Sequence, residues 1–429
     1  MDAPRLSIVI PALNEEEAIG DTIRRCLAAR NYICECAGLS DVEVLVVSDG
    51  STDRTVEIAH GFDEISVIEF PQNRGYGAAI KEGWRQSSGS LLAFLDADGT
   101  CDPRHFGEMC RLAIADSADV VLGSRLVPGS KMPRIRRIGN HFYAFVLGFL
   151  CGRHVTDTAS GMRVVRRKSL RRLYPLPDGL HFTPSMSARA LLNDLRVIET
   201  PISYHERTGK SKLSVVRDGV RFLQTIIDGV LCYRPERLLL CGVTVSLMLV
   251  LLMALHPVEH YVSTRRVEEW MIYRFVVCHF LGSFALLLLL ATALSNEMAS
   301  FGPRRREATP FWPALVSALL RWPAVAVLMG TLSAASLVLL CPGFVEFVGT
   351  GKVHMHWSRL IAGAFTVFSA AQTAVFALLM KVISIWQRER GNGLQSDCDL
   401  SVPLPEANAT LLEKSTHADA IRKIRAPAP

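Results

Sequence analysis

Residues 96–99 read Asp-Ala-Asp-Gly and close an apolar run, LLAFL. Two carboxylates one residue apart at a strand end can bring oxygens around a hard divalent cation, and Mg2+ (or Mn2+) takes one or two carboxylates together with substrate phosphates. Taken alone, the four residues read equally well as a helix cap and a turn. Three other loops decide the matter: Pro11-Ala12-Leu13-Asn14-Glu15-Glu16, Ser48-Asp49-Gly50-Ser51-Thr52-Asp53 and Pro71-Gln72-Asn73-Arg74-Gly75-Tyr76-Gly77. Asp49 can accept a bond from a nucleotide base, and Asp53 can cap a helix at Thr55. The glycines after Arg74 open a helix whose N–H groups, with Arg74, can face a phosphate. Four such loops in series point to a site for phosphorylated ligands, with Asp96 and Asp98 as the metal ligands.

Each loop follows a short β-branched run: LSIVIP (6–11), VEVLVV (42–47), ISVIEF (65–70) and LLAFLD (91–96), with DVVLG (119–123) after them. Helix formers fill 16–29, 55–60, 77–87 and 103–116. Alternation of this kind predicts an open α/β sheet, mostly parallel and Rossmann-like, with ligands outside the carboxyl ends of its strands.

After Pro235 the chain changes character. Apolar stretches at about 238–255, 275–294, 323–341 and 360–380 approach the ~20 residues that cross a hydrocarbon core, predicting a four-helix transmembrane domain over 236–383. Arg and Lys before the first stretch, Arg304, Arg305, Arg306 and Arg321 in the second connection, and Lys381, Arg388 and Arg390 after the last put those segments and both termini in the cytosol. The N-terminal run is too short for a signal peptide. Residues 391–429 read as a polar, disordered tail.

The net charge of +6 conceals an asymmetry, because Arg125 to Arg237 holds 21 Lys and Arg against 8 Asp and Glu. Nucleic acid is excluded as the reason, since no interleaved aromatic and basic motif appears and the basic segment abuts a membrane. Arg166, Arg167, Lys168, Arg171 and Arg172 read as a positive face toward anionic headgroups. Two amphipathic segments, about 131–152 and 212–233, read as interfacial helices that bring a membrane-bound phosphate to the site. The eleven cysteines are odd in number and unpaired in spacing, Cys34 and Cys36 included, so they read as reduced.

SIVIPALNEE, VVSDGSTD, NRGYGAAIKEG, FLDADGT, VLGSR, MPRIRRIGN, DTASGMRV and RTGKSKL, taken in order over residues 6–213, resemble the family 2 glycosyltransferases of GT-A fold. Within them they resemble the polyprenyl-phosphate branch related to dolichol-phosphate mannose synthase. The resemblance implies a GT-A domain over 1–235 that moves a sugar from a UDP- or GDP-hexose to dolichyl or undecaprenyl phosphate. It implies donor contacts from Pro11, Asn14, Glu15, Asp49, Arg74 and Gly75, and a metal and diphosphate site at Asp96 and Asp98. Arg125 and Arg207 would act in catalysis, with Arg136, Arg137, Arg163 and Lys212 holding the acceptor phosphate. Two positions depart from the family pattern: Ser48 precedes Asp49 where an acid is common, and Thr100 stands where the mannose synthases carry Gln. A processive polysaccharide synthase is the nearest enzymatic rival, but its QxxRW segment is missing. A non-catalytic lipid-handling protein is the other alternative. The sequence leaves the sugar, the base and the oligomeric state open.

Overall fold

The computed structural model describes residues 3–207, 214–299 and 322–399. Two compact units divide the chain, Met1–Ala318 and Leu319–Pro429. The first opens with β1 (Arg5–Ala12), α1 (Ile19–Ala37), β2 (Asp41–Ser48), α2 (Thr55–His60), β3 (Ser66–Glu69), α3 (Tyr76–Gln86), β4 (Leu91–Leu95), α4 (His105–Ala115) and β5 (Val120–Ser124). These are the elements the sequence pattern predicts, with one change of length. α1 runs eight residues beyond the predicted 29, because Ile33 keeps a buried face going until Gly38 takes a left-handed conformation and its N–H returns to the Cys34 carbonyl.

Alternation along each strand divides two cores. Leu6, Ile8 and Ile10 of β1, Val44 and Val46 of β2, and Ala93 of β4 pack on α1 and α4 through Ile19, Ile23, Phe106 and Met109. Their neighbours Val9, Leu45, Val47, Leu92 and Phe94 face the other way, onto Ile80 and Trp84 of α3. A period of two with both phases apolar is what a strand buried on both faces requires.

Two strands were not foreseen, β6 (Met162–Arg166) and β7 (Val197–Pro201), and both complete the sheet. Its order is β3-β2-β1-β4-β6-β5-β7. β6 lies antiparallel to both neighbours, while the remaining pairs are parallel. MRVVR carries its apolar residues inside a basic motif, which hid the strand. Around the sheet lie α5 (Arg134–Cys151), α6 (Leu170–Leu173), α7 (Phe182–Leu192) and α8 (Val215–Tyr233).

The first unit continues into α9 (Pro235–Thr264) and α10 (Ile272–Ala299), which pack on one another. The second contains α11 (Trp322–Thr350) and α12 (Trp357–Asp399), likewise packed together. All four are long and apolar enough to cross a membrane. Each exceeds its predicted apolar window, since a 30-residue helix is about 45 Å long and continues past a ~30 Å hydrocarbon layer. The tail expected from 391 is helical at its start, because α12 continues through Asp399; Arg304, Arg305, Arg306 and Arg321, and residues 400–429, lie outside the described residues.

Candidate active site

The acid pair ends β4. The Oδ1 atom of Asp96 accepts from the Tyr76 hydroxyl at 2.6 Å. Residue 161 is glycine, and a Cβ there would lie 1.9 Å from Asp96 Oδ2. Burial, followed by the charge of Asp98, pushes the Asp96 carboxyl up to about 7. Asp98 Oδ1 accepts from the Thr100 N–H at 3.2 Å and its hydroxyl at 2.7 Å. Thr100, one of the two departures from the family pattern, therefore fixes the second acid. Asp98 Oδ2 faces Arg207 Nη1 at 3.3 Å, and Arg207 Nη2 reaches Glu15 Oε1 at 2.9 Å. One guanidinium thus joins the loop after β1 to the loop after β4.

The backbone of the acid loop is held from outside. Arg25 donates to the carbonyls of Gly99 and Cys101 at 3.0 and 3.1 Å, and Thr22 donates to Ala97 at 3.0 Å. The His205 N–H bonds the Thr100 carbonyl at 2.8 Å, which anchors the segment that presents Arg207. No cluster of three or more His, Cys, Asp or Glu surrounds a common point among the described residues. Asp96 and Asp98 are therefore at most two hard oxygen ligands, the number Mg2+ takes when phosphates fill the rest of its shell. Two like charges held side by side at a buried strand end fit a hard cation.

On the donor side, the loops after β1, β2 and β3 are tied to each other. Asn14 accepts from the Thr52 N–H at 2.7 Å, and its own N–H donates to Ser51 at 3.1 Å. Its φ of 47° lies in the left-handed region, which Asn enters more readily than most residues. Asp53 accepts from the Thr55 N–H at 3.0 Å, one residue ahead of the N-cap position, which Arg54 occupies. Asp49 is buried, and its carboxylate is clasped by the N–H groups of Arg74 (2.6 Å) and Gly75 (2.9 and 3.1 Å). It shapes this loop directly. Pro11 is buried within β1, in register with Val47, so it can meet a ligand only through its backbone edge. Arg74 is exposed, with its guanidinium 4.5 Å above the Phe70 ring.

The start of α3 differs from expectation. Gly77 and Ala78 turn their N–H groups to the Asp178 carbonyl, at 2.6 and 3.1 Å, so those groups do not face a phosphate. The glycines serve close approach instead. A Cβ at Gly75 would come within 2.4 Å of the Asp178 carbonyl oxygen, and one at Gly77 within 2.2 Å of that of Pro177.

On the remaining side, Arg125 makes a two-pronged bond to Asp157, with Nε and Nη2 each 2.8 Å from a carboxylate oxygen, and its own N–H adds a third at 3.0 Å. Asp157 is fully buried, which would raise it, but the charge and bonds of Arg125 hold it below the ordinary carboxylate range. Asn140, on α5, donates to Asp157 at 2.9 Å and accepts from the Thr158 N–H and hydroxyl at 3.1 and 3.0 Å. The Arg125 guanidinium also lies 5.6 Å over the Tyr204 ring. Burial pushes the Tyr204 hydroxyl above its ordinary value, the charge of Arg125 opposing that and those of Asp98 and Asp96 adding to it. A cavity of about 140 Å3 opens here, lined by Arg125, Arg136, Met132, Ile135, Tyr143 and Phe222. Basic groups and an apolar wall share one cleft.

Other predicted contacts lie elsewhere. Arg163 is fully buried and donates to the carbonyls of Ser160 and Thr158 and to the Ser187 hydroxyl, at 3.1, 2.7 and 3.0 Å. With a partner on each of its three nitrogens and no exposure to solvent, it braces the 157–163 loop and does not line the cleft. Arg137 donates to the Ser130 carbonyl at 3.1 Å. Lys212 lies outside the described residues. Three of the five cations of the expected basic face, Arg166, Arg167 and Arg172, are engaged within the protein. Arg167 donates to the carbonyls of Trp84, Ser87 and Gly89, closing the end of α3, and Arg166 to those of Ala113 and Ala118 around the end of α4. Arg172 bonds the Asn193 carbonyl beyond α7. These cations satisfy helix C-termini, where positive charge is favoured.

Sequence reasoning missed Tyr76, Arg25, Asp157, Asn140 and Tyr204 as parts of the site. Asn140 and Asp157 lie inside the RRIGN and DTASGMRV motifs, which was a signal. Arg25 sits on an ordinary amphipathic helix and gave none.

The model of "Glycosyl transferase family 2" matches residues 7–174. A low-salt glycan biosynthesis hexosyltransferase of Haloferax volcanii is 35% identical over 60% of this chain and 61% of its own length. A dolichyl-phosphate hexose transferase of the same organism is 32% identical over 52% of this chain and 92% of its own. A polyprenol monophosphomannose synthase of Mycolicibacterium smegmatis is also 32% identical, over 49% of this chain and 81% of its own. The chain spans less than two thirds of the first of these relatives and most of the other two. With the acid pair at the end of β4 and the mostly parallel sheet that carries it, these likenesses show that the chain belongs to glycosyl transferase family 2.

Proposed function

We propose that the protein transfers a hexose from a nucleotide sugar to a polyprenyl phosphate at the membrane surface, with inversion at the anomeric carbon. The observation that carries this reading is the cleft at Arg125 and Arg136, whose apolar wall is made by Met132, α5 and α8 and which Tyr204 borders. A phosphate on a long hydrocarbon chain needs just that pairing of charge and grease. The outer side of α5 adds support. Ile135, Ile138, Phe142, Phe145 and Phe149 are all at least half exposed and recur every three or four residues, one stripe along the helix. Such a face suits the headgroup boundary.

The acceptor phosphate is anionic near neutral pH and can attack without a strong general base. Its oxygen forms the new bond to the anomeric carbon as the bond to the donor diphosphate breaks, and the electron pair leaves with that diphosphate. The chain's own part is to align the two anions and to balance charge. Arg125 and Arg136 orient the acceptor, while Glu15 and Asp98 hold Arg207 over the reaction centre. A divalent cation held by Asp96 and Asp98 would stabilise the departing diphosphate. The catalytic side is taken as cytosolic on the Arg and Lys excess before α9.

The deciding experiment incubates the purified protein and a short polyprenyl phosphate with a panel of UDP- and GDP-hexoses, with and without Mg2+ or Mn2+. Metal-dependent glycolipid with inverted anomeric configuration is expected. Retained configuration, or no product with any donor, would refute the reading.

A further inference from the structure

We propose that Tyr76 is a positioning residue for Asp96: its hydroxyl, with the clearance left by Gly161, fixes that carboxylate in the orientation that captures a divalent cation. The inference rests on the reading of Asp96 and Asp98 as metal ligands. Tyr76 opens α3, and its ring meets Phe94 of β4 and Phe182 of α7 edge-on, at 6.4 Å in both cases. Packed from two sides, the ring cannot swing. Its hydroxyl donates to Asp96 Oδ1 at 2.6 Å, the length of a charge-assisted bond.

From the opposite side the backbone of residue 161 closes in. A Cβ there would stand 1.9 Å from Asp96 Oδ2 and 2.4 Å from Cγ, so any side chain would expel the carboxylate from its present place. Asp96 is therefore fixed by a hydrogen bond on one oxygen and by a missing side chain beside the other. A carboxylate offers about four lone-pair positions, and Tyr76 uses one. The Tyr76 bond thus leaves lone pairs on Asp96 that a cation can use. Tyr76 has a second connection, because the two residues before it clasp Asp49 through their N–H groups. One short segment thus joins the donor-side loop to the first acid.

Groups that orient a metal ligand are worth about 10- to 100-fold in metal affinity when removed. The test is Mn2+ titration of the full chain in detergent, followed by the electron paramagnetic resonance of free Mn2+, alone and with UDP or GDP. Tyr76→Phe keeps the ring contacts and removes only the hydroxyl. It should weaken Mn2+ binding by about tenfold, leaving the melting temperature of the metal-free protein unchanged. Gly161→Ala should weaken binding at least as much; if it does not fold, Tyr76→Phe decides alone. Wild-type Mn2+ affinity in Tyr76→Phe would overturn the inference and leave the metal reading standing. A lower melting temperature with unaltered affinity would make Tyr76 a packing residue only. Failure of the unaltered chain to bind Mn2+ under any of these conditions would overturn the metal reading and this inference with it.

Discussion

The two ends of the sheet are both rich in charge, and they use it differently. At the carboxyl ends of β1, β4 and β5, charges meet other side chains: Arg207 bridges Glu15 and Asp98, and Arg125 grips Asp157 beside an open cleft. At the opposite end, Arg166 and Arg167 meet backbone carbonyls at the ends of two helices. An ion pair between side chains can be exchanged for a substrate phosphate when both are strong partners of a guanidinium. A carbonyl at a helix terminus lacks its intrahelical donor, so losing its arginine removes a bond that the helix itself cannot replace. Equal charge density therefore signals chemistry at one end and architecture at the other.

Substitutions at the two ends should separate accordingly. The largest effect belongs to Asp98→Asn, which keeps the side chain's shape and should lower glycosyl transfer by about 10³-fold with little change in melting temperature. A labelled-sugar assay beside a thermal scan checks both halves of that statement. Next comes Arg163→Met, which removes three buried bonds, to the carbonyls of Ser160 and Thr158 and to the Ser187 hydroxyl, and should cost about 3 kcal/mol of stability. A denaturation midpoint that stays put would return Arg163 to the list of ligand contacts. Arg207→Ala should reduce turnover with lipid phosphate by about 10²-fold, and equal rates with and without the guanidinium would remove it from the reaction centre. At the far end, Arg167→Ala should cost about 1–2 kcal/mol and leave kcat/KM as it was; a loss of activity at constant stability would erase the contrast between the two ends.

The smallest effect is one of pH. Asp96 has its carboxyl raised from 3.8 to about 7, by burial first and by Asp98 second. Between those values the folded chain binds more protons than the unfolded one, so stability falls as pH rises. The part that Asp96 contributes to the melting temperature of the metal-free protein should thus shrink from about pH 4 to pH 7, read as the difference between the unaltered chain and Asp96→Asn across that range. Identical slopes in the two proteins would show that Asp96 is not the group responsible.

Much of this was legible in the residues themselves. Five strands and four helices follow from β-branched runs alternating with helix formers, and the acid pair falls at the strand end where the pattern put it. The four spans follow from apolar length alone. What stayed hidden was the destination of charge. Nothing local distinguishes Arg163, wholly buried, from Arg125, which borders a cleft, because both stand in motifs of small residues and their partners come from other elements. The glycines before α3 misled for a similar reason: the chain that presses on them, residues 177–179, is a hundred positions away in sequence. β6 was missed because its arginines masked its valines.

That reversed strand has a further consequence. β6 starts beside the acids, with Met162 paired to Leu95, and finishes at the other margin of the sheet, with Arg166 paired to Leu91. Gly161 lies just before its first residue and Arg167 just after its last. Five residues therefore join the margin that holds the carboxylate to the margin that holds the helix caps, yet the two ends of the strand meet different partners. Engineering for heat tolerance would begin at that quiet margin, where stiffness can be added without touching the chemistry at all.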